Sequence, residues 1–133
     1  MAGSALRLDG LTAIVTGSSS GIGRSIALAF AREGAKHVVC VDIVSEAPNF
    51  ESRVDAKDLH HVVERELNEE LSATHELIRQ RHGQDKATFF KCDVSLEKRP
   101  GEKDPENGQD GQKLYGVAGL MDAAMQTLGR LDV

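Results

Sequence analysis

The residues most suited to chemistry lie near the start of the chain, in the run Thr16-Gly17-Ser18-Ser19-Ser20-Gly21-Ile22-Gly23. Glycines at this spacing permit a tight turn and let a backbone approach a bound group closely, and three serines add hydroxyl donors. Placed between a strand and a helix, such a loop aims the free N–H groups of the helix N-terminus at an anion, most simply a phosphate. A carboxylate follows at Asp42, 21 residues after Gly21. That is close to the ~20-residue interval at which an acid can reach a ribose hydroxyl when the phosphates of the same ligand lie on the loop. A mononucleotide P-loop is the nearest competitor, because Gly23-Arg24-Ser25 imitates its end. Ser18 stands where its first glycine belongs and Arg24 replaces its lysine, so parts required by that chemistry are missing.

Other candidates fail on spacing. His60, His61 and Glu64 are close in sequence, with His75 and His82 further on. His61 and Glu64 share a helix face, but adjacent histidines point apart and no third ligand stands at metal-site spacing. A solvated helix face is the reading, with no metal. Tyr115, the one tyrosine, is followed four places later by Gly119 rather than lysine, so nothing there lowers its phenol from a pKa of ~10. It reads as a core or helix-start residue.

The elements that must position the loop follow from patterning. Leu11–Thr16 is a buried strand launched by the turn pair Asp9-Gly10. Ile22, Ile26, Ala29 and Phe30 recur at helical spacing behind the glycines, and Gly34 supplies a stop. A second strand runs from Lys36 to Ile43, apolar on both faces, as a parallel sheet covered by helices requires. Val44–Asp55 reads as loop. Leu59, Val63, Leu67, Leu71 and Ile78 mark one face of a helix from about Lys57 to His82, and Thr88–Val94 is a third strand. Glu97–Lys113 holds nine charges, three glycines, two prolines and no aliphatic residue, and is expected to be a mobile polar insertion. Leu114, Val117, Leu120, Met121, Ala124, Met125 and Leu128 form the cleanest amphipathic pattern, ended by Gly129-Arg130. Alternation of strand and helix predicts a doubly wound α/β sheet with right-handed crossovers.

Composition removes whole classes. With 133 residues, one domain is expected. Sixteen basic against 21 acidic side chains leave a net charge of −5, which disfavours nucleic acid and anionic membrane surfaces. Two cysteines, Cys40 and Cys92, each inside an apolar run, read as buried reduced thiols. No run suits a signal peptide or a membrane span, and the expected compartment is the cytoplasm.

Taken together these residues resemble the N-terminal half of a short-chain dehydrogenase/reductase. Thr16-Gly17-x-x-x-Gly21-Ile22-Gly23 matches that family's fingerprint at every fixed position, and Asp42 matches its second-strand acid. Asp93-Val94 matches the pair that contacts adenine after strand three, and Gly129–Val133 resembles the lead-in to strand four. The resemblance implies a Rossmann-type domain over residues 1–133 with three full strands and a cut-short fourth. It implies a dinucleotide held by Gly17, Ser19, Gly21, Ile22, Gly23, Asp42, Asp93 and Val94. NAD is expected over NADP, because Asp42 repels a 2′-phosphate and neither Ser20 nor Ile43 is basic. The family's Asn-Asn-Ala-Gly stretch, catalytic serine and Tyr-x-x-x-Lys pair do not occur in these 133 residues. Hydride-transfer activity is therefore expected to be absent from this chain alone; the alternative is a nucleotide-binding or interaction module without catalysis. In the family's strand order, 3-2-1-4, the short fourth strand exposes one side of the first, and self-association through that edge is expected.

Overall fold

The computed structural model describes residues 6–46, 72–95 and 114–133. Within them the order is β1 (Thr12–Thr16), α1 (Gly21–Arg32), β2 (His37–Asp42), α2 (Thr74–His82), β3 (Ala87–Lys91) and α3 (Val117–Leu128). The strands form one parallel sheet in the order β1-β2-β3, with Val15 opposite Cys40 and Cys40 opposite Phe89. Being central explains the composition of β2: Val38, Val39, Cys40 and Val41 are all fully buried, two to each face. On one face Val38 and Cys40 pack with Ala27, Ala31 and Ile78 of α1 and α2; on the other Val39 and Val41 pack with Leu120 of α3. Helices on both faces make the sheet doubly wound, as expected.

The last residues lie along the free edge of β1. Val133 donates its N–H to Thr12 C=O at 3.0 Å and accepts from Ile14 N–H at 2.9 Å, which is one rung of a parallel ladder on the free edge of β1. The Asp132 carboxylate receives the Thr12 N–H at 3.0 Å and pairs with Arg130. Both contacts hold the Asp132 carboxyl below the usual range, the Arg130 bond contributing most. Val133 thus lies on the side of β1 away from β2, and the open part of the β1 edge among the described residues is confined to the groups beyond the Ile14 N–H.

Three expectations need correction. The buried stripe of α1 is Ala27 and Ala31 with Gly23 one turn earlier, whereas Ile22 is 81% and Ile26 40% exposed. Leu28 and Phe30 pack partly buried beside them, and at Gly23 there is no room for a side chain: a Cβ would stand 2.1 Å from Gly17 C=O. The second helix is not continuous back from His82, since Ala73 is extended (φ −57°, ψ 143°) and α2 begins at Thr74. His75 does not face solvent freely; it is half-buried and stacked on Phe89 at 5.2 Å, and burial lowers its pKa. Leu59, Val63, Leu67 and Leu71, the histidine group around His60, and the polar stretch 97–113 lie outside the described residues. Among the described residues no helix is long and apolar enough to cross a membrane.

The helix ends agree with the sequence. Ala35 N–H bonds Phe30 C=O and Gly34 N–H bonds Ala31 C=O, the double bond of a Schellman stop, and Gly129 ends α3 in the left-handed region. Cys40 and Cys92 are both free and buried.

The phasing of α1 can be tested by urea unfolding. Ala27→Val should cost about 1–3 kcal/mol by overpacking the α1–sheet contact. Ile26→Ala, on the half-exposed side, should stay within about 1 kcal/mol. The reverse ranking would show that the isoleucines form the buried face.

Candidate functional site

The loop is built from two glycines that only glycine conformations allow and one that only glycine size allows. Gly17 (φ 65°) and Gly21 (φ 54°) adopt the left-handed region, where a side chain is strained. Gly23 lies against Gly17 and Thr16 backbone, as noted above. Together they fold the chain back so that α1 starts directly over the C-terminal end of β1. The first turn of α1 has no acidic residue, and Ser20 at its N-cap makes no side-chain cap bond. The partial positive charge at this helix end is therefore not answered by a nearby side-chain carboxylate on the first turn.

The serines behave differently from expectation. Ser18 is fully buried, and both its N–H (3.1 Å) and its hydroxyl (3.2 Å) donate to Val41 C=O. Ser19 is also buried; its hydroxyl donates to Val44 C=O and its N–H to Asp42 Oδ2 at 3.0 Å. Neither hydroxyl caps the helix. Ser18 and Ser19 instead tie the loop to the end of β2, and Ser20 is the one whose hydroxyl has no partner among the described residues. Sequence spacing shows three equivalent donors; backbone carbonyls at Val41 and Val44 distinguish them.

Asp42 ends β2 beside the loop, half-buried. Its Oδ1 accepts from Ile43 N–H at 2.7 Å and its Oδ2 from Ser19 N–H. Both oxygens keep a further lone pair, so the carboxylate is held in a fixed orientation with acceptor capacity left over. A cleft of about 440 Å³ opens here, lined by Thr16, Gly17, Val41, Asp42, Ile43, Cys92, Asp93 and Val94. That volume is within the range of small-molecule pockets. The lining joins three strand ends and brings together Gly17, Asp42, Asp93 and Val94 of the expected residues. Ser19 is attached to it through Asp42, while Gly21, Ile22 and Gly23 sit in the first turn of α1. Asp93 Oδ1 is occupied by Ser95, accepting its N–H (2.9 Å) and hydroxyl (2.6 Å), which holds the Asp93 carboxyl below its ordinary pKa. Ile43 and Val94 are 51% and 58% exposed at this cleft, offering apolar surface to something flat. Among the described residues no lysine or arginine lines it.

Two residues that sequence reasoning did not single out as parts of the site reach the loop from behind. Thr74 donates its hydroxyl to Ser18 C=O at 2.6 Å, and Arg24 bonds Thr74 Oγ1 at 3.0 Å and Ser72 C=O at 2.7 Å. Among the described residues no group of histidines, cysteines and acids could hold a metal ion.

Cys40 lies under this loop, and burial pushes its thiol up to about 12, against smaller opposing effects of Ser18 and Arg79. A raised acid pKa stabilises the fold fully below its ordinary value of 9.0 and progressively less as pH climbs toward 12. The urea midpoint should therefore fall between about pH 8 and about pH 10.5, and fall less in Cys40→Ala. Identical falls in both proteins would remove Cys40 from the account.

Comparison with known proteins agrees with this geometry. The sequence model of the short chain dehydrogenase family matches residues 11–57. Short-chain dehydrogenase reductase 3a of Arabidopsis thaliana is 36% identical over 95 residues, covering 71% of this chain and 26% of that protein. Sorbitol dehydrogenase of Cereibacter sphaeroides is 57% identical over 42 residues, 32% of this chain and 16% of its own length. A crystal structure of hydroxysteroid dehydrogenase from Escherichia coli superposes with a TM-score of 0.54 at 28% identity, covering 96% of this chain and 36% of that one. The chain spans about a quarter of the Arabidopsis protein and less of the sorbitol dehydrogenase. On the glycine loop, the parallel strand order and this shared sequence, the chain is similar to the short-chain dehydrogenase/reductase family.

Proposed function

We propose that the cleft binds a nicotinamide dinucleotide, NAD in preference to NADP, and forms the adenosine and diphosphate side of an oxidoreductase site. The observation that carries this reading is the fixed Asp42 carboxylate beside a glycine loop and a helix N-terminus whose first turn has no acid, with no cation among the described residues of the lining. In this reading the N–H groups at the start of α1, including those of Gly21, Ile22 and Gly23, face the diphosphate, and Gly17 lets it approach the backbone. The remaining lone pairs of Asp42 accept from the ribose hydroxyls, and Ile43 and Val94 cover the adenine ring. Asp93 offers its Oδ2 at the edge of the same ring. Ser19 acts one step back, by orienting Asp42.

When bound, the nicotinamide supplies hydride transfer to or from a carbonyl or alcohol carbon. The 133 residues supply binding and orientation only, because the one tyrosine, Tyr115, packs edge-on against Phe90 and has no lysine four places on. The two free buried thiols suit a reducing, cytoplasmic compartment. The part of the β1 edge beyond the Ile14 N–H is the surface through which self-association would occur.

Titration calorimetry with NAD and NADP tests the cofactor assignment. The unmodified chain should favour NAD, and Asp42→Ala should weaken NAD about tenfold while narrowing the gap to NADP. Equal affinity of the unmodified chain for both dinucleotides contradicts the role of Asp42. Mixed with NADH and a panel of carbonyl compounds, the same chain should leave the reduced-nicotinamide absorbance unchanged. Turnover that disappears in Gly21→Asp would show a catalytic group that this reading lacks.

A further inference from the structure

Resting on the reading of the cleft just given, we propose that Thr74 and Arg24 are positioning residues that hold the glycine loop in its binding conformation before any ligand arrives. Thr74, the first residue of α2, is 1% exposed, and Ser18 is fully buried beneath the loop. Arg24 carries only donors, so its bond to Thr74 Oγ1 takes a lone pair of that hydroxyl and leaves the hydroxyl proton to go to Ser18 C=O. The direction of the relay is thereby fixed: Arg24 to Thr74 to Ser18. Arg24 also grips Ser72 C=O, so the segment entering α2 is tied to α1 at two points.

The relay pins both ends of the phosphate-facing segment. At one end, Ser18 has its N–H and hydroxyl on Val41 and its C=O on Thr74, so each of its hydrogen-bonding groups is engaged within the protein. At the other, Arg24 N–H closes the first turn of α1 on Ser20 C=O at 3.2 Å. Residues 19–23 are stretched between these two fixed posts. Ordering a loop in advance spares the binding step that entropy, so loss of the relay weakens a ligand that never touches Thr74. A valine at position 74 would take from the Ser18 carbonyl, in a buried residue, its hydroxyl donor and from Arg24 one of its acceptors, while serine keeps the hydroxyl.

Native-state amide exchange and NAD titration of the unmodified chain, Thr74→Val, Thr74→Ser and Arg24→Met decide the matter. The Ser18, Ser19 and Arg24 amides should exchange about tenfold faster in Thr74→Val and Arg24→Met, with the Val38–Val41 amides of β2 unchanged. NAD affinity should fall by a similar factor, and Thr74→Ser should restore both. Unchanged loop exchange in Thr74→Val overturns the proposal. So does loss of protection in loop and β2 together in both variants, which would make Thr74 part of the general fold. If the unmodified chain binds no NAD, the reading of the cleft fails, and the exchange results still show whether the relay holds the loop.

Discussion

The constraint on which the rest depends is the contact of α1 with the end of β1, where Gly23 meets the Gly17 carbonyl with no room for a Cβ. This approach forces the intervening residues into a turn that requires left-handed glycines at 17 and 21. It also places the start of a helix, with its free N–H groups, at the C-terminal edge of a parallel sheet. In open α/β sheets that edge is where ligands bind, because loops diverge there and helix dipoles converge. The small residues Ala27 and Ala31 continue the same close contact along α1, so packing and site share one cause.

A second layer of polar ties makes the turn rigid. Ser18 and Ser19 bind the carbonyls of Val41 and Val44, and Ser19 N–H orients Asp42. The acid that would select the cofactor and the loop that would hold its phosphates are therefore one hydrogen-bonded unit. A change in the loop backbone moves the carboxylate with it. The cost of burying these serines is met because each hydrogen-bonding group that enters the protein finds a carbonyl or carboxylate.

Much of this was legible in the sequence, and the failures have physical causes. The continuous apolar run of β2 announced a central strand, and the spacing from Gly21 to Asp42 announced a strand-end acid beside the loop. On α1 the exposure of Ile22 and Ile26 is not legible, because isoleucine carries more hydrophobicity than alanine, while the Ala27 and Ala31 contact depends on how closely the helix approaches the sheet. The start of α2 is not legible either, because nothing in the sequence pattern marks a break at Ser72 and Ala73. What stops the helix there is accompanied by a non-local tie, Arg24 bonding to Ser72 and Thr74 from 48 and 50 residues away. The distinct duties of the three serines depend likewise on carbonyls of another strand, which spacing cannot show.

The central claim is that the glycine loop, Asp42 and the Asp93–Val94 corner act together as one dinucleotide cleft. Backbone amide chemical shifts followed during NAD addition test it most directly, because each of these segments reports separately. The account predicts saturable shifts at Gly17–Gly23, at Asp42 and Ile43, and at Asp93 and Val94, all with one dissociation constant. Shifts centred elsewhere, such as around His75 and Phe89 on the outer strand, or none at saturating NAD, would contradict it.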